Sequence, residues 1–165
     1  VGIYAGIVGL VGTLIGGYLS DQVGQNDARR RMWLLAAAAV VATPFYVAFL
    51  LVDDSDMAVA LWVVPLILGA FYLPATFALV QGLSPVRMRS VSAAILFFIL
   101  NILGLGLGPQ TVGILSDYLA PEYGSDSLRY AMLIAGLAAL WAAVHFMLSA
   151  RTLREDLEAT KAADS

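Results

Sequence analysis

The chain has no cysteine, one histidine (His145) and few charges: Asp, Glu, Lys and Arg make up 13% of its 165 residues. Without cysteine there is no disulfide, no thiolate metal site and no cysteine nucleophile. Soluble domains carry about 25% charged residues, so a water-facing surface is hard to build from this composition. The net charge of −3 comes without a basic patch outside short loops, which argues against a nucleic-acid partner. The opening lacks a Met, a basic n-region and an A-x-A site, so it does not read as a signal peptide. It reads instead as the start of a piece of a longer protein.

Apolar residues, by contrast, make up 61% of the chain, and mean hydropathy is +0.85. A domain of about 150 residues still exposes roughly a third of the surface of its unfolded chain, so so much apolar surface requires lipid as solvent. Charges punctuate five uncharged runs, predicting transmembrane helices over about 1–20, 32–52, 58–83, 90–116 and 130–150. Each approaches or exceeds the roughly 20 residues needed to cross the bilayer core. Alternation of the kind a barrel strand needs is absent. The fold expected is all-α: a polytopic membrane helix bundle over 1–150, followed by a polar tail over 151–165 that forms a short, fraying helix. Lipid bilayer is the first expected partner, and no cofactor or metal is implied.

Orientation follows from the basic residues. Arg29, Arg30, Arg31, Arg87, Arg89, Arg151, Arg154 and Lys161 fall on one side of the expected topology, with only Arg129 on the other. The positive-inside rule makes the first side cytoplasmic, placing the first residue outside and the C-terminus inside.

Small residues cluster in the first span, where Gly2/Gly6 and Gly12/Gly16 form small-xxx-small pairs that admit a neighbouring helix closely. Gly104/Gly108 repeats the spacing in the fourth span, next to Pro109. That proline removes a backbone N–H and predicts a kink, read either as a cavity-lining moving part or as static packing. Asp21 ends the first span and is followed by Gly24 and the arginines. It suits a carboxylate capping a neighbouring helix, or equally an ordinary charged loop.

Gly17-x-Leu19-Ser20-Asp21-x-x-Gly24, followed by arginines, resembles the signature loop of the major facilitator superfamily. Gln22 and Gln25 stand where basic residues are usual, which favours the second of the family's two copies. Arg87–Ala94, Asn101–Pro109 and Val112–Asp117 are similar to the family's tenth-to-eleventh loop and eleventh helix, with a flavour of the spinster-like branch. The resemblance implies helices eight to twelve of twelve, a missing N-terminal half of the same protein as partner, and a bacterial inner membrane. It also implies secondary transport of a small organic or lipid-like solute by alternating access. Gly17, Asp21, Gly24, Arg29 and Arg30 would form the conformational-switch loop. Gly16–Asp21 and Val112–Asp117 further suggest an inverted three-helix repeat.

Polar residues inside the spans are the candidates for solute contact: Tyr72, Thr76, Asn101 and Gln110. No ionisable residue other than His145 lies within a span, so no proton relay is evident. His145 lies about a turn from the end of the last run and reads as an interface residue. An enzyme is not expected, because one histidine near a helix end supplies no nucleophile–base pair. The alternative function is a non-transporting membrane subunit or scaffold.

Overall fold

The computed structural model describes residues 2–164, and among them every regular element is helical. α1 (Gly2–Gly24) and α2 (Arg29–Leu51) are the first two spans. α3 (Ser55–Gly69) and α4 (Tyr72–Gly82) together make the third. α5 (Arg89–Ile99), a π-helical segment (Leu100–Leu107) and α6 (Gly108–Tyr123) make the fourth, α7 (Ser127–Ser149) is the fifth, and α8 (Leu153–Asp164) is the tail.

Four continuous helical stretches are long and apolar enough to cross a membrane, the last being the 64 residues Val86–Ser149. Straight, that stretch would be about 96 Å long. It instead folds back at Gly124, whose φ of 53° is the one positive value among the described residues. Glycine reaches that region without a Cβ penalty. The Ser116 and Ser127 hydroxyls then meet at 3.1 Å, and the Tyr123 and Tyr130 rings at 4.4 Å. The bundle therefore crosses five times. Helix α6 runs on through Asp117 and Pro121 to Tyr123, beyond the predicted end at 116, and ends at Gly124.

The surface is what lipid demands. A compact soluble chain of 17.5 kDa exposes about 7,900 Å², whereas this one exposes 10396 Å². Ile3, Leu105, Ile114 and Trp141 stand in the open. The buried cluster lies toward the arginine-rich end, where Met32, Leu35, Phe71, Ala75, Leu79, Ala150 and Leu153 meet. At the opposite, acidic end, Asp54 caps α3 by accepting from the Met57 amide at 2.8 Å, and Arg129 reaches Asp53 at 3.3 Å. This acidic end ties α7 to the α2–α3 connection.

The third span is one helical stretch, Ser55–Gly82, that tightens at Ala70 and Phe71, whose amides donate to the Ile67 and Leu68 carbonyls three residues back at 3.2 Å. Pro74 sits in the first turn of α4, has no N–H to donate, and its ring would crowd the Ala70 carbonyl four residues back. The chain turns at Ala70 and Phe71 and resumes as α4. Glycines of α1 hold this turn. A Cβ on Gly12 would lie 2.7 Å from the Ile67 carbonyl oxygen, and one on Gly16 would lie 2.6 Å from the Phe71 Cα. The partner of the Gly12/Gly16 pair is thus inside the chain, while Gly2 and Gly6 meet nothing within 4 Å.

The fourth span differs too. Pro109 is the second residue of α6, directly after the π segment. It cannot donate to Leu105 in α register, and the wider π register, seen in the Gly108 amide bonding the Leu103 carbonyl, takes up the mismatch without a break. Gly104 meets nothing within 4 Å, and a Cβ on Gly108 would meet only the Leu103 carbonyl of its own segment, at 3.5 Å. The expected close-packing pair therefore has no partner helix among the described residues.

Substituting Gly16 by valine should destabilise the full-length protein by about 1–3 kcal/mol, the usual cost of overpacking. Gly6→Ala should leave thermal unfolding in detergent unchanged. Equal effects at the two positions would refute the seating described.

Candidate functional site: an apolar cavity and the arginine-rich turn

The tightened turn in the third span places Tyr72 at the start of α4, 41% exposed. Here α2, α3, α4 and α7 enclose a cavity of about 370 Å³ lined by Thr43, Tyr46, Leu68, Tyr72, Gly136 and Phe146 among others. Its wall is overwhelmingly apolar and carries no charged residue. The Thr43 hydroxyl is spent on the Ala39 carbonyl at 2.8 Å. Tyr46 lies flat enough on Gly136 that a Cβ there would be 2.5 Å from its ring, and its hydroxyl donates to the Met132 carbonyl at 3.2 Å. Tyr72 also borders a second groove of about 350 Å³ with Gly9, Thr13 and Pro65 on the α1 side.

The other candidates for solute contact do not converge on Tyr72. Thr76 lies one turn further along α4, half-buried, and lines neither cavity. Asn101 lies in the π segment, where its amide donates to the Phe97 carbonyl at 2.7 Å. Gln110 is exposed on α6. The fourth span touches α4 through Phe77 and Phe97, whose rings are 4.8 Å apart. Beyond that crossing, Asn101 and Gln110 look outward from this bundle. Thr43 and Tyr46 were not among the candidates from sequence, which lie on the third and fourth spans. The signal was present: Thr43 and Tyr46 bracket Pro44 in the middle of an otherwise apolar second span.

The switch-loop residues form one structure at the end of α1. Gly24 is its last residue, and a Cβ there would collide with the Arg31 side chain, so glycine lets that arginine cross the helix end. Arg31 then reaches Asp21 at 3.4 Å, and Asp21 is largely exposed. Asp21 therefore pairs with an arginine of the next helix and caps no helix among the described residues. The capping is done by Asp27, whose carboxylate accepts from the Arg29 amide at 3.0 Å and pairs with the Arg29 guanidinium at 3.1 Å. These bonds from Arg29, the side-chain one first, hold the Asp27 carboxyl below its ordinary value. Arg30 is exposed, and Gly17 packs on Pro74. The Ser20 hydroxyl and the Arg31 Nε are buried without an acceptor or donor among the described residues. His145 is exposed on α7 and engages the Trp141 carbonyl at 2.9 Å. No group of three or more potential metal ligands occurs among the described residues.

No family model matches the chain. Its sequence is 30% identical over 159 residues to an MFS-type efflux pump of Mycolicibacterium smegmatis (strain ATCC 700084 / mc(2)155), covering 95% of this chain and 37% of that protein. Over nearly its whole length the chain is therefore similar to part of a major facilitator superfamily protein. Two solved structures of a bacterial homologue of the human lysosomal transporter Spinster share the major facilitator fold. The inward-facing, unoccupied conformation superposes with a TM-score of 0.78 at 24% identity, over 90% of this chain and 38% of that one. The inward-facing, occupied conformation gives 0.57 at 23% identity, over 95% and 40%. The chain thus spans less than half the length of the relatives it matches, and corresponds to a C-terminal part of the major facilitator fold.

Tyr46→Phe should cost about 0.6 kcal/mol, the average interhelical hydrogen bond in a membrane, whereas Tyr46→Ala should cost about 3–5 kcal/mol by emptying the space over Gly136. Thermal unfolding of the full-length protein separates the two. The Asp27 cap has the opposite handle. Because its folded value is lowered from 3.8, its contribution is complete above that pH and is lost only as pH falls through the lower folded value. Asp27→Ala should therefore speed hydrogen exchange at the Arg29 amide at neutral pH.

Proposed function

We propose that this chain supplies the C-terminal helices of a secondary transporter that moves a small organic or lipid-like solute by alternating access, completed by an N-terminal half. The observation that carries this reading is Tyr72. It is a phenol at an irregular helical turn, between two apolar grooves, on a span that glycine packing holds against α1. Interrupted helices line substrate paths in transporters, because irregular backbone at membrane depth is tolerated only against protein or a cavity. An uncharged, amphipathic solute fits, since neither groove is lined by a charged residue. The mycobacterial relative is an efflux pump and the fold neighbours are homologues of a transporter, and both support the reading.

In this reading the arginine-rich end is cytoplasmic, by the positive-inside rule, and the protein resides in a bacterial inner membrane. Asn101, Gln110 and the unpartnered Gly104/Gly108 face of the fourth span then point toward the absent half, where the solute path forms. The spinster-like branch is the nearest source of expectation for the solute's class.

Full-length protein in proteoliposomes should move an uncharged amphipathic dye down an imposed ion gradient. Tyr72→Phe should lower apparent affinity about fivefold if the hydroxyl contributes a hydrogen bond of about 1 kcal/mol. His145→Ala, exposed on α7 and lining neither groove, should leave transport unchanged. Absence of gradient-driven flux for any amphipathic solute would refute the proposal.

A further inference from the structure

The two grooves beside Tyr72 are not independent. Pro65, Gly69 and Tyr72 line both of them. Spaced four and three residues apart, these residues share one face of the third span. That face is the ridge between the groove toward α2 and α7 and the groove toward α1. The ridge is low at its middle: Gly69 is exposed, and a Cβ added there would meet nothing within 4 Å. Gly12, Gly16 and Gly136 are each pressed by a neighbouring backbone or ring. Gly69 has no such neighbour among the described residues, so helix packing does not account for its small size.

Polar groups in the grooves are nearly all spent inside the protein. The Thr43 and Thr13 hydroxyls donate to carbonyls of their own helices, at 2.8 and 2.9 Å. The Tyr46 hydroxyl donates to the Met132 carbonyl. The Tyr72 hydroxyl has no hydrogen-bond partner among the described residues. Neither groove is lined by a charged residue. One free polar handle thus stands between two apolar spaces of similar size, about 370 and 350 Å³. Each alone is at the low end of the roughly 300–1,000 Å³ usual for small-molecule sites, and the two together are near its middle.

We propose that Gly69 sets the size limit of the solute site by leaving a notch in this ridge. Through it one uncharged solute lies astride the third span, its polar group at Tyr72 and an apolar arm in each groove. This rests on the proposed role of Tyr72 as a solute contact. A solute with one arm fills a single groove. A second arm adds buried apolar surface, and affinity rises with that area. A larger side chain at 69 raises the ridge and bars a two-armed solute, while a single arm still finds an open groove.

The test uses the full-length protein in detergent, with monooctanoylglycerol and dioctanoylglycerol as probes. Both are uncharged, and they differ by one apolar arm. Each is titrated against a bound fluorescent dye, and the ratio of their affinities is compared between wild type and variant. Partitioning into micelles cancels in that comparison. Gly69→Leu should cut the preference for the two-armed probe by about tenfold, the equivalent of about two buried methylenes. Gly69→Ala should act in the same direction more weakly. Neither should lower the unfolding temperature, because nothing lies against the added atoms. An unchanged ratio in Gly69→Leu, or no binding of either probe to wild type, would overturn the inference. Loss of thermal stability in Gly69→Ala would overturn it too, since the notch would then be the seat of a further helix. The expected ratio without gradient-driven flux would uphold the notch and sink only the transport reading.

Discussion

Everything in this bundle rests on how closely α1 approaches the tightened turn of the third span. An irregular turn within a membrane has backbone groups to satisfy, and lipid offers them no partners. Here the turn is pressed against a helix that presents hydrogen atoms in place of side chains at Gly12 and Gly16, so backbone meets backbone. Phe71, between α3 and α4, turns into that contact and becomes one of the least exposed residues of the chain. The turn is thereby removed from lipid, and its other face is left to Tyr72 and the cavity toward α2 and α7.

The same logic separates the two irregular spans. Both contain a proline that cannot donate to the carbonyl four residues back. In the third span the helix tightens for one turn at Ala70 and Phe71, where the glycines of α1 receive it. In the fourth it stretches into π register, because no neighbour among the described residues receives it, and each turn must keep its own hydrogen bonds. Gly104, within the π segment, meets nothing within 4 Å among the described residues.

At the arginine-rich end the organising force changes from packing to charge. Asp27 organises the start of α2, Arg31 crosses Gly24 to Asp21, and α8 lies beside them. These contacts are exposed, individually weak and screened. That end can therefore be rearranged at small cost, while the leucine and alanine cluster beneath it cannot.

Hydropathy and charge spacing by themselves determined the solvent, the helical class and the approximate places of the crossings, because a bilayer needs about 20 uncharged residues per helix whatever the neighbours are. The motif around Gly17–Gly24 also pointed to the superfamily of the mycobacterial relative. Tertiary structure alone decided which glycines matter: Gly12 and Gly6 read alike in sequence, but only Gly12 has a backbone against it. It also decided that Tyr72 lines a cavity while Asn101 turns back to its own helix, since a polar side chain's role depends on which face meets a neighbour. The tail's short helix was legible in the sequence, but the contact that seats its start was not. What folds it is the burial of Leu153 among residues more than seventy positions away, and local propensity carries no trace of that contact.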